Sequence, residues 1–93
     1  MKFNSGQFVA TPAVLAVVPR PYIFAAIARH LEGDWGDVSD ADKRTNDRAL
    51  RNGDRLLSVY HVKSADDPEQ EIKFWIITEA DRSATTVLLP SDY

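Results

Sequence analysis

Residues 71–79 have the sequence Glu-Ile-Lys-Phe-Trp-Ile-Ile-Thr-Glu, which is the strongest strand signal in the chain. Side chains on an extended segment alternate between two faces, and one face here holds Ile72, Phe74, Ile76 and Thr78. Neither Gly nor Pro interrupts the stretch. We therefore predict a strand whose apolar face, with Ile72, Phe74 and Ile76, packs against helices.

The same period of two continues on either side of this strand. Residues 55–62 alternate in the same way, and residues 84–89 form a third candidate strand that ends at Pro90. Charged or polar connections at residues 63–70 and 80–83 separate the three, and short connections favour an antiparallel meander. A further short strand is predicted at residues 6–10, and whether it joins the sheet stays open.

Before Gly53 the apolar residues recur with a helical period instead. Thr11 and Pro12 are typical of a helix start, so a first helix is predicted from Pro12 to about Val18. A second is predicted from Pro21 to about Leu31. Its expected apolar face consists of Ile23, Phe24, Ile27 and Leu31.

A third helix is predicted from Asp40 to about Asn52, with Ser39 in a capping box and Gly53 as its end. Its apolar side is thin, so it is expected to pack lightly on the surface. That side consists of Ala41, Thr45, Ala49 and Leu50.

The length of 93 residues fits a single domain that spans residues 1–93. The expected class is α+β, with three N-terminal helices packed on a mostly antiparallel sheet. The chain has no cysteine, which is consistent with a reducing cytoplasm, and no apolar run approaches the roughly 18 residues that span a bilayer. We expect a cytoplasmic protein without a membrane partner. Its net charge of −3 argues against non-specific binding to nucleic acid.

The residues available for catalysis are few. The two histidines, His30 and His61, do not have a metal-ligand spacing, and no nucleophile elbow, phosphate loop or dinucleotide fingerprint is present. Some pair among the 14 acidic residues will always fold close together, so the presence of carboxylates does not distinguish an enzyme from a non-enzymatic protein. We therefore predict no enzymatic activity, no metal and no cofactor.

His30 lies in the last turn of the second predicted helix and has two interpretations. The simpler one is a side chain that caps carbonyl groups at the helix C-terminus. The sharper one makes His30 a pH-sensitive contact in a binding site with Asp34 and Trp35, on the polar loop at residues 33–37.

Residues 78–83, Thr-Glu-Ala-Asp-Arg-Ser, form the most polar feature attached to a predicted strand. The simpler interpretation is a hairpin turn in which Asp81 accepts backbone N–H bonds and Ser83 helps to close the loop. A turn projected from a stiff sheet is also a good place to display a binding group. Glu79, Asp81 and Arg82 are therefore candidate binding residues.

Arg44, Arg48 and Arg51 are spaced by four and three residues, so they form one stripe on the third helix that could follow phosphate groups. Asp40 lies four residues before Arg44 and Asp47 four before Arg51, which is a spacing that pairs opposite charges along an exposed helix. A solvated, self-paired face is the simpler interpretation.

Several stretches occur together: Gly-Asp-Trp-Gly-Asp at 33–37, Asn-Asp-Arg-Ala-Leu at 46–50, and Trp-Ile-Ile-Thr-Glu-Ala-Asp-Arg-Ser-Ala-Thr-Thr at 75–86 before Leu-Leu-Pro at 88–90. In them the chain resembles a family of small bacterial proteins that are commonly called plasmid-related and sometimes labelled a type I restriction subunit. The resemblance covers nearly the whole chain and implies an accessory role in mobile DNA, with no established activity. The restriction label fits poorly, because 93 residues cannot hold a methyltransferase domain.

The expected function is a non-enzymatic module that contacts another protein, or itself, through the sheet and the loop at residues 33–37. An exposed Trp35 or Trp75 would be the anchor of such a contact. The candidate binding residues are His30, Asp34, Trp35, Glu79, Asp81 and Arg82.

Two rival functions stay open. The first is a DNA-associated accessory protein that uses the stripe of Arg44, Arg48 and Arg51. The second is a small metal-dependent hydrolase or nuclease that uses side chains from the turn together with His30, namely Glu79 and Asp81.

Overall fold

The computed structural model describes residues 1–64 and 66–93; residue 65, in the predicted loop 63–70, lies outside the described residues. The elements, in chain order, are β1 (Gln7–Ala10), α1 (Pro12–Val17), α2 (Arg20–Leu31), α3 (Asp40–Asn52), β2 (Leu56–Lys63), β3 (Glu71–Thr78), β4 (Ala84–Leu88) and a 3₁₀ turn (Pro90–Asp92).

Four strands form one mixed sheet in the order β1-β4-β3-β2. Strand β3 pairs antiparallel with β2 and β4, whereas β1 runs parallel to β4, with Phe8 beside Thr85 and Ala10 beside Val87. The α+β class is confirmed. The expectation of a mostly antiparallel sheet is only partly right, because the strand at residues 7–10 joins the sheet and its pairing is parallel.

Local sequence signals account for the helix boundaries. The Thr11 hydroxyl accepts a bond from the Val14 N–H at 3.2 Å, and the Ser39 hydroxyl accepts one from the Asp42 N–H at 3.1 Å. Gly53 ends α3 in the left-handed conformation with φ of 76°, which costs glycine little.

The main core lies between the sheet and the helices α1 and α2. Phe74 and Ile76 are buried as predicted, whereas Phe24 is 66% exposed, so its assignment to the core is wrong. Helix α2 instead buries Ile23, Ala26 and His30. These three lie on an adjacent stripe of the same helix, and the small Ala26 allows a close approach to the sheet. The buried residues of this core are Val14, Val18, Ile23, Ala26, Tyr60, Phe74, Ile76 and Val87.

A second, smaller core lies where α3 packs beside β2. It consists of Trp35, Ala49 and Leu56, with Phe3, Val38 and Leu50 partly buried around it. Helix α3 buries Asn46 and Ala49, while Ala41 and Thr45 are exposed, so half of its predicted apolar side is wrong. The buried face of α3 instead includes Asn46, a hydrogen-bonding residue that the apolar pattern did not mark.

Candidate functional site

The first half of the outer edge of strand β2, at Leu57 and Val59, is covered by other parts of the chain. The Asn46 side chain accepts a bond from the Leu57 N–H at 3.2 Å and donates one to the Leu57 carbonyl at 2.7 Å. Two residues further on, the Val59 N–H donates to the Trp35 carbonyl at 3.0 Å, and the Asp37 N–H donates to the Val59 carbonyl at 2.7 Å. The backbone groups of Leu57 and Val59 are therefore satisfied without any partner molecule.

Gly36 makes this cover possible. It has φ of 74°, and a Cβ at this position would lie 2.0 Å from the Val59 carbonyl oxygen and 2.8 Å from the Tyr60 ring. Only glycine allows the loop backbone to pair so closely with β2. The Gly-Asp-Trp-Gly stretch therefore covers part of one edge of the sheet.

The side chains of this loop are engaged within the chain. Trp35 is only 3% exposed and donates its indole N–H to Asp47 Oδ1 at 3.1 Å, so its role as an exposed anchor is excluded. Asp34 accepts two bonds from the Arg29 guanidinium, at 2.8 and 3.2 Å, and these hold the pKa of the Asp34 carboxyl below its usual value. Trp75 is half-buried and packs edge-on against Tyr93, with ring centroids 5.7 Å apart.

His30 anchors a buried chain of polar side chains that crosses the sheet. Its two ring nitrogens bond to the hydroxyls of Ser58 and Thr78, the Thr78 hydroxyl bonds to that of Thr85 at 2.7 Å, and Thr85 donates to the Ser5 carbonyl at 2.7 Å. All five residues are buried. The chain joins α2, three strands and the N-terminal segment, which neither interpretation of His30 anticipated.

The Ser5 carbonyl at the end of this hydrogen-bonded series sets the direction of the bonds as far as His30. Because Thr85 donates to Ser5, Thr78 donates to Thr85 and accepts from Nε2–H of His30. In the neutral ring, Nδ1 then accepts from Ser58. Burial of the ring lowers the pKa of His30 to about 4, since a buried imidazolium would lose its hydration.

The turn between β3 and β4 is closed by its own polar groups. Asp81 Oδ1 accepts from the Ser83 N–H at 2.9 Å. Hydrogen bonds from the Ser83 side chain and from this N–H lower the pKa of the exposed Asp81 carboxyl. The Arg82 guanidinium donates to the carbonyl of Asp54 at 2.7 Å and to that of Ala49 at 3.3 Å, at the C-terminal end of α3. Arg82 thus docks the turn on α3, where a cation favours the helix dipole.

The structure does not bring the residues of the hydrolase alternative together. His30 is fully buried and both of its ring nitrogens are bonded, whereas Glu79 and Asp81 are exposed on the turn. A substrate in solvent would have no access to the imidazole. Of the six candidate binding residues, only Asp34, Glu79 and Asp81 present an exposed polar group.

The arginine stripe is less self-paired than its spacing indicates. Within residues 1–64 and 66–93, neither Asp40 with Arg44 nor Asp47 with Arg51 forms an ion pair, and Asp40 approaches Lys43 instead, at 4.0 Å. One reason is that Asp47 accepts the Trp35 indole N–H. The three exposed arginines of the stripe, Arg44, Arg48 and Arg51, line one open depression of about 360 Å³ together with Asp47.

The edge of the sheet at β1 is open. Gln7 and Thr11 donate their N–H groups to the carbonyls of Ser83 and Val87, both at 3.0 Å, so the odd-numbered residues of β1 point to β4. The N–H and C=O groups of Phe8 and Ala10 therefore point outward. In the part of the chain that the structure describes, neither of these N–H groups has an acceptor.

Exposed apolar side chains surround this open edge. Phe8 is 51% exposed and lies beside a groove of about 170 Å³ between β1 and α2, together with Phe24 and Leu15. Arg20 is the one charged residue among those that line it. We call Phe8, Val9, Leu15 and Phe24 the β1 surface.

The β1 surface is not evident from the sequence, for an identifiable reason. Helix α2 carries two adjacent apolar stripes, one with Ile23 and Ala26 and one with Phe24 and Ile27, and periodicity cannot tell which of them faces the sheet. A usable signal was the run Phe8-Val9-Ala10, which is apolar on both faces in a strand too short to lie at the centre of a sheet.

No protein family, curated protein or solved structure matches this chain. Among the residues that the structure describes, no three His, Asp or Glu side chains come together as a metal-binding group. No helix in those ranges is both long and apolar enough to cross a membrane.

Proposed function

We propose that this chain is a non-enzymatic protein-interaction module and that it binds through the β1 surface. The observation that carries the proposal is the contrast between the two edges of the sheet. Asn46 and the loop at residues 34–37 cover the edge at β2 as far as Val59, and the next outward-facing residues, His61 and Lys63, have polar side chains. In the described part of the chain the edge at β1 has no such cover, and its outward-facing residues, Phe8 and Ala10, are apolar.

An open edge of this composition favours a polypeptide partner. Natural proteins protect free edges with short strands, charged residues, proline or bulges. Strand β1 is short, at four residues, but Gln7-Phe8-Val9-Ala10 has no charge, proline or bulge. An added strand would pair with the free backbone groups, while the exposed Phe8 and Phe24 would supply apolar contact. The groove of about 170 Å³ is smaller than the roughly 300–1,000 Å³ of small-molecule sites.

The accessory role in mobile DNA belongs to the same proposal. It rests on the resemblance of residues 33–37 and 75–86 to the plasmid-related proteins. A small module that binds another protein, or itself, through one edge of its sheet is compatible with such a role.

Affinity capture from a host lysate tests the proposal with matched variants. Phe24→Ser removes an aromatic ring from the β1 surface, and Tyr22→Ser removes an exposed ring from the same helix outside it. We expect wild type and Tyr22→Ser to retain the same protein and Phe24→Ser to lose it. Equal retention by all three forms would contradict the proposal.

The unpaired arginine stripe favours a second candidate function, binding to the phosphate backbone of DNA. Neutralisation of about three phosphates by Arg44, Arg48 and Arg51 predicts a slope of roughly −2.7 for log affinity against log salt concentration. Arg48→Glu should abolish binding to duplex DNA, whereas Arg20→Glu, outside the stripe, should weaken it little. Equal losses in the two variants would exclude the stripe as the contact.

A further inference from the structure

We infer that the partner of the β1 surface is a second copy of this chain, with β1 paired antiparallel to β1 of the partner subunit about a two-fold axis at Val9. The inference rests on the proposed function and names its partner. A two-fold interface uses the same patch on both subunits, so the patch must be complementary to itself.

The outward-facing residues leave three registers for such a pair. In an antiparallel ladder, the residues that exchange both backbone bonds must be outward-facing on both strands, which here means Phe8 and Ala10. Phe8 can therefore lie opposite Phe8 of the partner subunit, Ala10 opposite Ala10 of the partner subunit, or Phe8 opposite Ala10 of the partner subunit. The last register has Val9 on the axis.

Two of these registers are unfavourable. With Phe8 opposite itself, Ala10 would need Gly6 of the partner subunit, but Gly6 has φ of 61° and already donates its N–H to Asn4 Oδ1 at 3.0 Å. With Ala10 opposite itself, Phe8 would face Pro12 of the partner subunit, which has no N–H and begins α1. The register centred on Val9 satisfies both outward-facing residues of each strand and forms four backbone hydrogen bonds.

The side chains also fit this register. Phe8 lies on the same face of the sheet as the groove and would face the small Ala10 of the partner subunit, which leaves room for the ring. On the other face, Val9 would meet Val9 of the partner subunit in a close, non-hydrogen-bonded pair at about 4.5 Å between Cα atoms. On one face a large side chain, Phe8, lies opposite a small one, Ala10, and on the other face two β-branched Val9 side chains pack together.

The exposed apolar area fits a small, weak dimer. Phe8 and Phe24, at 51% and 66% exposure, leave roughly 230 Å² accessible per chain if each aromatic side chain has about 200 Å². Two copies supply about 450 Å², and Val9, Leu15 and the strand backbones of both subunits add to it. The aromatic rings thus supply nearly half of the roughly 1,000 Å² at which specific interfaces begin, so we expect a dimer that dissociates on dilution.

Sedimentation equilibrium with charge-reversed variants tests both the partner and the register. At about 200 µM, wild type should approach twice the chain mass of 10.4 kDa. Val9→Lys and Val9→Glu should each be monomeric, because like charges meet on the axis, and an equimolar mixture of the two should dimerise again. Val17→Lys, the same change at an exposed site outside the β1 surface, should dimerise like wild type.

Two results would overturn the inference: a monomeric wild type at this concentration, or a Val9→Lys variant that still dimerises. The capture experiment separates this failure from that of the proposed function. If Phe24→Ser loses a captured protein while wild type is monomeric, the β1 surface binds a different protein and only self-pairing is wrong. If no captured protein depends on Phe24 either, both proposals fail.

Discussion

His30 should make the fold sensitive to mild acid. Its imidazole has a pKa of about 4 in the folded chain and about 6.5 when unfolded, so the unfolded chain takes up the proton first as the pH falls. The contribution of the neutral ring to stability is therefore complete above pH 6.5 and is lost between pH 6.5 and about 4. At about 1.4 kcal/mol per pH unit, the loss reaches roughly 3 kcal/mol.

Within the described ranges, the side chains around the His30 ring include no anion that could stabilise a protonated imidazole. The imidazole bonds to Ser58 and Thr78, and the rings of Phe3 and Trp35 lie edge-on at centroid distances of 5.3 and 5.6 Å. None of these four side chains carries a charge. Protonation would also remove the acceptor at Nδ1 that takes the hydrogen bond from Ser58.

Urea unfolding at several pH values between 7.5 and 4.5 measures the effect. We expect the free energy of unfolding of wild type to fall by about 2–3 kcal/mol over this interval. His30→Gln should be less stable than wild type at pH 7.5, because the buried series of hydrogen bonds through Ser58 and Thr78 loses the imidazole. Its stability should change much less with pH. Identical pH profiles for wild type and His30→Gln would refute the account.

Three further substitutions test how the sheet edge and the turn are held. Asn46→Ala leaves the outward N–H and C=O groups of Leu57 unpaired and should lower the free energy of unfolding by about 2 kcal/mol in urea titrations. The same change at the exposed Asn52 should cost at most about 0.5 kcal/mol. Gly36→Ala should cost at least about 2 kcal/mol by thermal unfolding, because its Cβ would overlap the β2 backbone, and a neutral result would contradict the close pairing. Arg82→Lys should cost about 1–2 kcal/mol, since an ammonium group cannot span the carbonyls at the end of α3, whereas Arg51→Lys should change stability little.

Local rules predicted the elements well. Thr11, Ser39 and Gly53 act within one turn of the backbone, so the helix ends they specify do not depend on the rest of the fold. The two faces of β3 follow from geometry in the same way, and Phe74 and Ile76 are buried as the alternation indicates.

Long-range contacts account for what the sequence did not predict. The parallel pairing of β1 with β4 joins residues more than 70 positions apart, and no local pattern specifies it. The polar chain through His30 likewise depends on hydroxyls from separate strands, each of which is unremarkable alone. From sequence, Arg82 is expected to be an exposed binding residue. The carbonyls that it contacts, those of Ala49 and Asp54, lie about 30 positions earlier in the chain, so no local pattern reveals the contact.

The open edge at β1 is the feature on which the proposed binding and self-pairing depend, and amide hydrogen exchange of residues 7–10 measures it directly. The Gln7 and Val9 amides point to β4 and should be protected at every protein concentration, whereas the outward Phe8 and Ala10 amides should become protected only at concentrations where the dimer forms. Val9→Lys should expose the Phe8 and Ala10 amides at all concentrations. Equal protection of all four amides in dilute solution would contradict an open edge at β1.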